Sequence, residues 1–428
     1  MVLCSAFGYT QTPKWINNVR LSGFGIVQYQ YNGLHNGKTD KLNTFNLRLG
    51  RISLDGRILD DWYWKAQLQF NGNTSTLGTS PRMVDLFAEW QKYDFLRVKA
   101  GQFKNPFTFD NPIHPIDQGF MSVAQSVLKL AGFSDRAGAH PSNGRDIGIQ
   151  IQGDFLKNKA GRNLVHYQVG VFDGQGINVK DVDQQKNLIG GVWIMPVEGM
   201  RLGWFGWTGS YARKGNWTDE AGNPRTGVRS LQQRRYAFSA EYKTNDWTVR
   251  SEFVHSTGYA FAKTLSHTDD AAASDCNLSA DGNKAQGVYA LVIAPIIPGK
   301  FHAKARYDMY QPSDGAQKQR TQYDLGLDYE FNKNLEMSGI YSYVHDRSQH
   351  ITMGHGRMTN IVHRQRLPIH QASVTCIVSR IVYPYRRITD KEKLPVGGCM
   401  PGSRHDQYDA VQGIPNATTR SRIASSSS

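Results

Sequence analysis

Residues Val98–Pro112 read "VKAGQFKNPFTFDNP". The first half alternates as a β-strand does, with Val98, Ala100 and Gln102 on one side and Lys99, Gly101 and Phe103 on the other. The second half runs into Pro106 and Pro112, which have no N–H to give to a strand ladder. No comparable strand follows until about Asp146. A structure-poor stretch of about forty residues is out of place in a compact domain unless it carries function. The rest of the chain has to decide what it is.

Period-two runs recur from end to end of the body. They fall at 19–31, 45–58, 62–73, 83–92, 95–104, 146–154, 164–173, 187–196, 201–213, 233–243, 246–257, 285–295, 301–311, 321–331 and 335–345, fifteen in all. Their connections alternate strictly. "LDD", "KYDF", "LKNKAGRN", "VEGM", "KTND", "IPGK" and "NKN" are short; 32–44, 74–82, 105–145, 174–186, 214–232, 258–284 and 311–320 are long. Short turns at one end and long loops at the other describe an outer-membrane barrel, with short periplasmic turns and long extracellular loops. A soluble sandwich has no reason to sort its loops in this way.

Composition agrees. Among 428 residues no run of eighteen apolar residues exists, so a transmembrane helix is excluded. The mean hydropathy of −0.51 does not exclude a barrel, whose strands are half polar. Four cysteines make neither a disulfide framework nor a metal spacing. The net charge of +14 is uneven: residues 346–428 hold twelve Lys/Arg against five Asp/Glu, half of the excess. Clustered basic residues interleaved with aromatics are absent, so no nucleic-acid partner is expected. No cofactor is expected, and no serine sits in a nucleophile motif, so the reading is not an enzyme.

The ends are irregular. Residues 1–13, "MVLCSAFGYTQTP", look like the last part of a secretory signal. The barrel is read over 14–345. Bacterial single-chain barrels have an even strand count, so sixteen strands are expected where fifteen are recognisable. Beyond 345 alternation fails, and residues 346–428 read as an aberrant or disordered basic tail in place of the closing strand. The apolar run "SVTCIVSRIVY" at 373–383 could be a last strand or a chance run.

Three motifs together resemble the phosphate-selective porin O and P family of Gram-negative outer membranes. They are "LRVKAGQFKNPFTFDNP" at 96–112, "GVFDGQGIN" with "DQQKNLIGGVWIMP" at 170–196, and "KARYDMY" at 304–310. The resemblance covers residues 15–345. It implies a sixteen-stranded barrel in outer-membrane lipid, a homotrimer, and a third extracellular loop folded into the pore. It also implies arginine and lysine side chains in the lumen, through which some members pass phosphate.

The polar half of each alternation supplies the pore lining: Lys65, Asp85, Glu89, Arg97, Lys99, Arg250, Lys304, Arg306 and Asp308. On the lipid side a mid-strand Lys or Arg would cost about 2–4 kcal/mol. Two readings of this wall stay open. Arg97, Lys99, Lys304 and Arg306 could form a cationic track for small anions such as phosphate, or opposite charges could pair off. In loop 105–145, Phe120, Val123, Val127 and Ala131 recur at helical spacing. A short helix with an apolar face on the inner wall would then present Asp110, Asp117, Lys129, Asp135 and Arg136 to the pore. The function read from this is passive diffusion of small hydrophilic solutes. A plugged receptor-like or adhesin-like barrel, or a non-functional truncated copy of a porin, is the alternative.

Overall fold

In a computed structural model, residues 16–33, 43–71, 81–265, 274–315, 318–347 and 369–384 are described. The segments at 1–13, 348–368 and 385–428 lie outside these residues. The chain forms one antiparallel sheet: β1 (Ile16–Gly33), β2 (Asn43–Ile58), β3 (Trp62–Asn71), β4 (Arg82–Tyr93), β5 (Leu96–Lys104), β6 (Arg145–Lys157), β7 (Asn163–Phe172), β8 (Asn187–Ile194), β9 (Met200–Thr218), β10 (Pro224–Thr244) and β11 (Trp247–Thr257). After a two-residue β12 (Ser274–Asp275) come β13 (Lys284–Ile297), β14 (Phe301–Gln311), β15 (Arg320–Asn332), β16 (Leu335–Asp346) and β17 (Ile369–Pro384). The one helix among the described residues is α1 (Gln125–Leu130).

All fifteen body strands occur where the alternation puts them. Each pairs with its sequence neighbour, apart from β11, which pairs with β13, while β12 adds a short parallel bridge to β9. The faces are inverted relative to a soluble protein. On β15, Tyr323, Leu325, Leu327 and Phe331 are exposed, while Gln322, Asp324 and Asp328 are buried. On β2, Phe45 and Leu47 stand 78% and 66% exposed, and Arg51, Ser53 and Asp55 are buried. An apolar band of this size facing outward requires lipid around it.

Two expectations change. The long loop 214–232 is a hairpin: β9 and β10 stay paired out to Thr218 and Pro224. Asp219 closes the turn by accepting from the backbone N–H groups of Ala221 and Asn223, at 3.1 and 2.8 Å. This part of the hairpin lies beyond the apolar band, so its sequence need not alternate. Second, the tail does not simply replace the last strand. β17 pairs antiparallel with β16, from Leu335↔Val378 to Val344↔Ile369, and with β1, from Arg20↔Pro384 to Gly33↔His370. Both edges offer unpaired N–H and C=O groups, and a run of β-branched residues is suited to fill them.

Candidate functional site

The loop between β5 and β6 folds inside the barrel, and the inner wall is built to receive it. Phe107 and Phe109 are fully buried against Trp193, Phe205 and Trp207 of β8 and β9, and Val127 and Leu130 of α1 are fully buried in the same cluster, with α1 lying on β11, β13 and β14. Phe109 meets Phe205 and Trp193 edge-on, with centroids 5.4 and 5.5 Å apart, and Phe107 meets Trp207 at 5.6 Å. Such edge-to-face pairs add to plain area burial. Bulky aromatics on a lumen wall would be costly in water; here the loop covers them. Guanidinium groups then stack on these rings, Arg201 on Phe109 at 4.1 Å and Arg235 on Trp207 at 4.5 Å.

Charge fixes the loop's orientation. Arg250 of β11 bonds Asp110 at 2.9 Å and Glu241 at 2.6 Å, and Arg201 completes the chain to Glu241 at 2.8 Å. Glu252 accepts from the N–H groups of Phe109 and Asp110, at 2.6 and 2.9 Å. Arg235 holds Asp135 through two bonds of 2.6 and 2.8 Å, the forked geometry that makes such pairs strong. Asp308 of β14 accepts from the Gln125 N–H at the start of α1, at 2.9 and 3.1 Å. Arg306 donates to the carbonyl and hydroxyl of Ser122, at 2.6 and 2.8 Å, while it pairs with Asp324 at 2.8 Å. Lys304 pairs with Asp328 and bonds the Gly119 carbonyl at 2.5 Å.

The opposite sector of the wall is different. Arg51, Lys65, Arg82, Lys104 and Arg145 surround Asp85 on β2 to β6. Arg145 and Lys65 pair with Asp85, at 2.5 and 3.6 Å. Among the described residues no carboxylate lies within ion-pairing distance of Arg51, Arg82 or Lys104. Arg51 bonds the Gln69 amide oxygen at 2.9 Å, Arg82 the Pro141 carbonyl at 3.2 Å and Lys104 the Asn111 carbonyl at 2.6 Å. These are neutral acceptors that orient the basic side chains without supplying a counter-charge. His114, on the loop above them, is held well below the usual imidazole range by burial and by the charges of Arg51, Lys65, Arg145 and Lys104.

Residues 22–176 match the family model described as phosphate-selective porin O and P. Over these residues, a little over a third of the chain, the sequence is similar to that family. Among solved structures, the anion-selective porin from Comamonas acidovorans superposes with a TM-score of 0.56 at 13% identity, over 84% of this chain and 99% of that one. OmpF of Salmonella typhi, in complex with daunomycin, gives 0.55 at 11% identity over 85% and 98%. The trimer form of OmpT of Vibrio cholerae gives 0.52 at 12% over 85% and 99%. At these identities the likeness is one of fold. No curated protein matches the sequence. The family match and the inverted barrel together identify an outer-membrane porin channel of a bacterium.

Of the porin's wall residues named from sequence, Asp85, Glu89, Lys99, Arg250, Lys304, Arg306 and Asp308 are buried, and all nine named residues but Asp308 form ion pairs. Lys99 lies 3.5 Å from Glu89, which also accepts from Gln152 at 2.5 Å. Arg97 pairs with Asp154, whose other oxygen meets His166 Nδ1 at 2.7 Å. Every member of the proposed cationic track, Arg97, Lys99, Lys304 and Arg306, therefore has a carboxylate partner. In the loop, Asp110 and Asp135 are buried against the wall and do not face the pore, because Arg250 and Arg235 reach them. Arg136 is half-buried and donates to the Gly258 and Gly282 carbonyls, at 2.6 and 3.2 Å. Asp117 is exposed and Lys129 partly so. The helix spans six residues, less than the spacing suggested, with Phe120, Val127 and Ala131 buried as expected.

Sequence reasoning missed Arg51, Arg82, Lys104 and Arg145. Strict alternation from Leu47 and Leu49 puts Arg51 in lipid. A bulge changes the parity: Ile26 faces Leu49 but Val27 faces Leu47, so the register steps across Arg48. Arg82, Lys104 and Arg145 sit at strand ends, where alternation carries little information. An arginine that strict parity sends to lipid was itself the signal for a bulge.

Proposed function

We propose that this porin passes small hydrophilic solutes with a preference for anions, and that the preference resides in the Arg51, Lys65, Arg82, Lys104 and Arg145 sector. One observation carries the reading: five basic side chains crowd around Asp85, and three of them have no carboxylate within ion-pairing distance among the described residues, while the wall under the loop is paired. A field of one sign in a narrow, low-dielectric channel concentrates counter-ions. The likeness to a porin whose description reads anion-selective supports the direction of preference. Homotrimeric assembly is proposed by analogy with the trimer form of OmpT.

The test is the reversal potential of the reconstituted protein in a KCl gradient, followed by phosphate titration. An anion-preferring channel gives a potential of chloride-selective sign. Phosphate that occupies the sector reduces the chloride current, whereas phosphate without effect leaves a general anion preference. A cation-selective sign overturns the proposal.

A further inference from the structure

The motif "GVFDGQGIN" spans residues 170–178. Its last six residues, 173–178, leave the end of β7 and lie against the limb of the pore loop that returns to β6. Asp146, the second residue of β6 and buried, receives this segment: its Oδ2 accepts from the Gly174 N–H at 2.8 Å. Its Oδ1 accepts from the N–H groups of Ile147 at 2.8 Å and Gly176 at 3.3 Å. The segment then reaches the loop. His140 Nε2 donates to the Ile177 carbonyl at 3.1 Å, and the Ile177 N–H donates to Ser142 Oγ at 3.3 Å. It ends on the sheet, where the Asn178 N–H donates to the Gln102 amide oxygen at 2.8 Å.

The glycines are dictated by this closeness. Gly174 and Gly176 have φ of 82° and 84°, and a Cβ would stand 2.6 Å from the Ser210 carbonyl and 2.1 Å from Ser142 Oγ respectively. The space between the segment, the loop and the wall is only about 30 Å³. The segment is therefore fitted on one side to the sheet, through Asp146 and Gln102, and on the other to the loop, through His140 and Ser142.

We propose that residues 173–178 are a strap that fixes the returning limb of the pore loop, and that Asp146 is its positioning residue. The inference rests on the porin reading. The strap keeps the constriction at one width by denying residues 132–144 the freedom to lift from the wall.

The test compares wild type with Asp146→Asn, which replaces one of the two accepting oxygens by an NH₂ group that cannot accept from a glycine N–H. Asp219→Asn, in the β9–β10 turn, is the control. Amide hydrogen exchange and open-channel current noise are measured on the full chain. Losing one hydrogen bond predicts roughly tenfold faster exchange in residues 132–144 and 174–178. Exchange in β13 to β15 should be unchanged, and current noise should rise at an undiminished number of channels. A folded Asp146→Asn protein with wild-type exchange overturns the strap, and so does faster exchange without added noise. If Asp146→Asn does not fold, Gln102→Ala removes the strap's far anchor and is read by the same two outcomes. Failure of the wild type to conduct would overturn the porin reading instead, which separates the two claims.

Discussion

Arg82→Gln is the sharpest probe of the anion-selective sector. Arg82 is partly exposed, has one hydrogen bond, to the Pro141 carbonyl, and pairs with no carboxylate among the described residues. The substitution therefore removes a charge and little else. For an ion passing about 6 Å away in a watery lumen, one unit charge is worth about 0.7 kcal/mol before screening. At 0.1 M salt the Debye length of about 10 Å leaves about 0.4 kcal/mol. That is about a twofold gain in anion occupancy and a twofold loss for cations, so the anion-to-cation permeability ratio should fall about fourfold. At 1 M salt the same step should shrink to about 1.4-fold, because the Debye length falls to about 3 Å. The assay is the reversal potential in KCl gradients at both ionic strengths, with Lys157→Gln, at an exposed periplasmic-side turn, as control. An unchanged ratio at low salt, or an equal change in the control, would refute the argument.

Four further outcomes follow. Asp135→Asn leaves Arg235 buried without its carboxylate, a loss of about 3–5 kcal/mol, and should lower the thermal transition of the folded porin and free the loop to proteolysis. Gly101→Ala should abolish refolding, read as barrel yield on a gel, because φ is 129° and a Cβ would stand 2.2 Å from the Leu86 carbonyl. His140 is pushed down to about 4 by burial, so it stays neutral in the fold while an unfolded histidine titrates near 6.5. The unfolded chain then binds more protons between these values, so stability is constant above about pH 7 and falls by up to about 3 kcal/mol as pH drops toward 4. Thermal midpoints across that range should show the fall, and His140→Gln should flatten it. Deleting residues 369–384 exposes the edges of β1 and β16, and should convert assembled porin to aggregate in a sizing assay.

Much of this fold was legible because lipid and lumen impose opposite demands on alternate residues. Tyr323, Leu325 and Leu327 against Gln322, Asp324 and Asp328 announce their faces, and so does every strand of the body. The inward loop was legible from Pro106, Pro112 and the spacing of Phe120, Val127 and Ala131. What the pattern could not carry was pairing across the barrel. Arg250 and Asp110 stand 140 positions apart in sequence, and nothing local says that they meet. For the same reason the four cations chosen by alternation proved to be paired, and the cations without carboxylate partners lay at a bulge and at strand ends. The β9–β10 hairpin escaped because strands outside the membrane lose the alternation that betrays them.

Single-channel recording of the refolded protein in a planar bilayer decides whether the barrel is open. An open porin gives stepwise, long-lived openings of uniform size. A folded, membrane-inserted barrel that leaves the bilayer silent would contradict it, and would mean that the inward loop plugs the lumen.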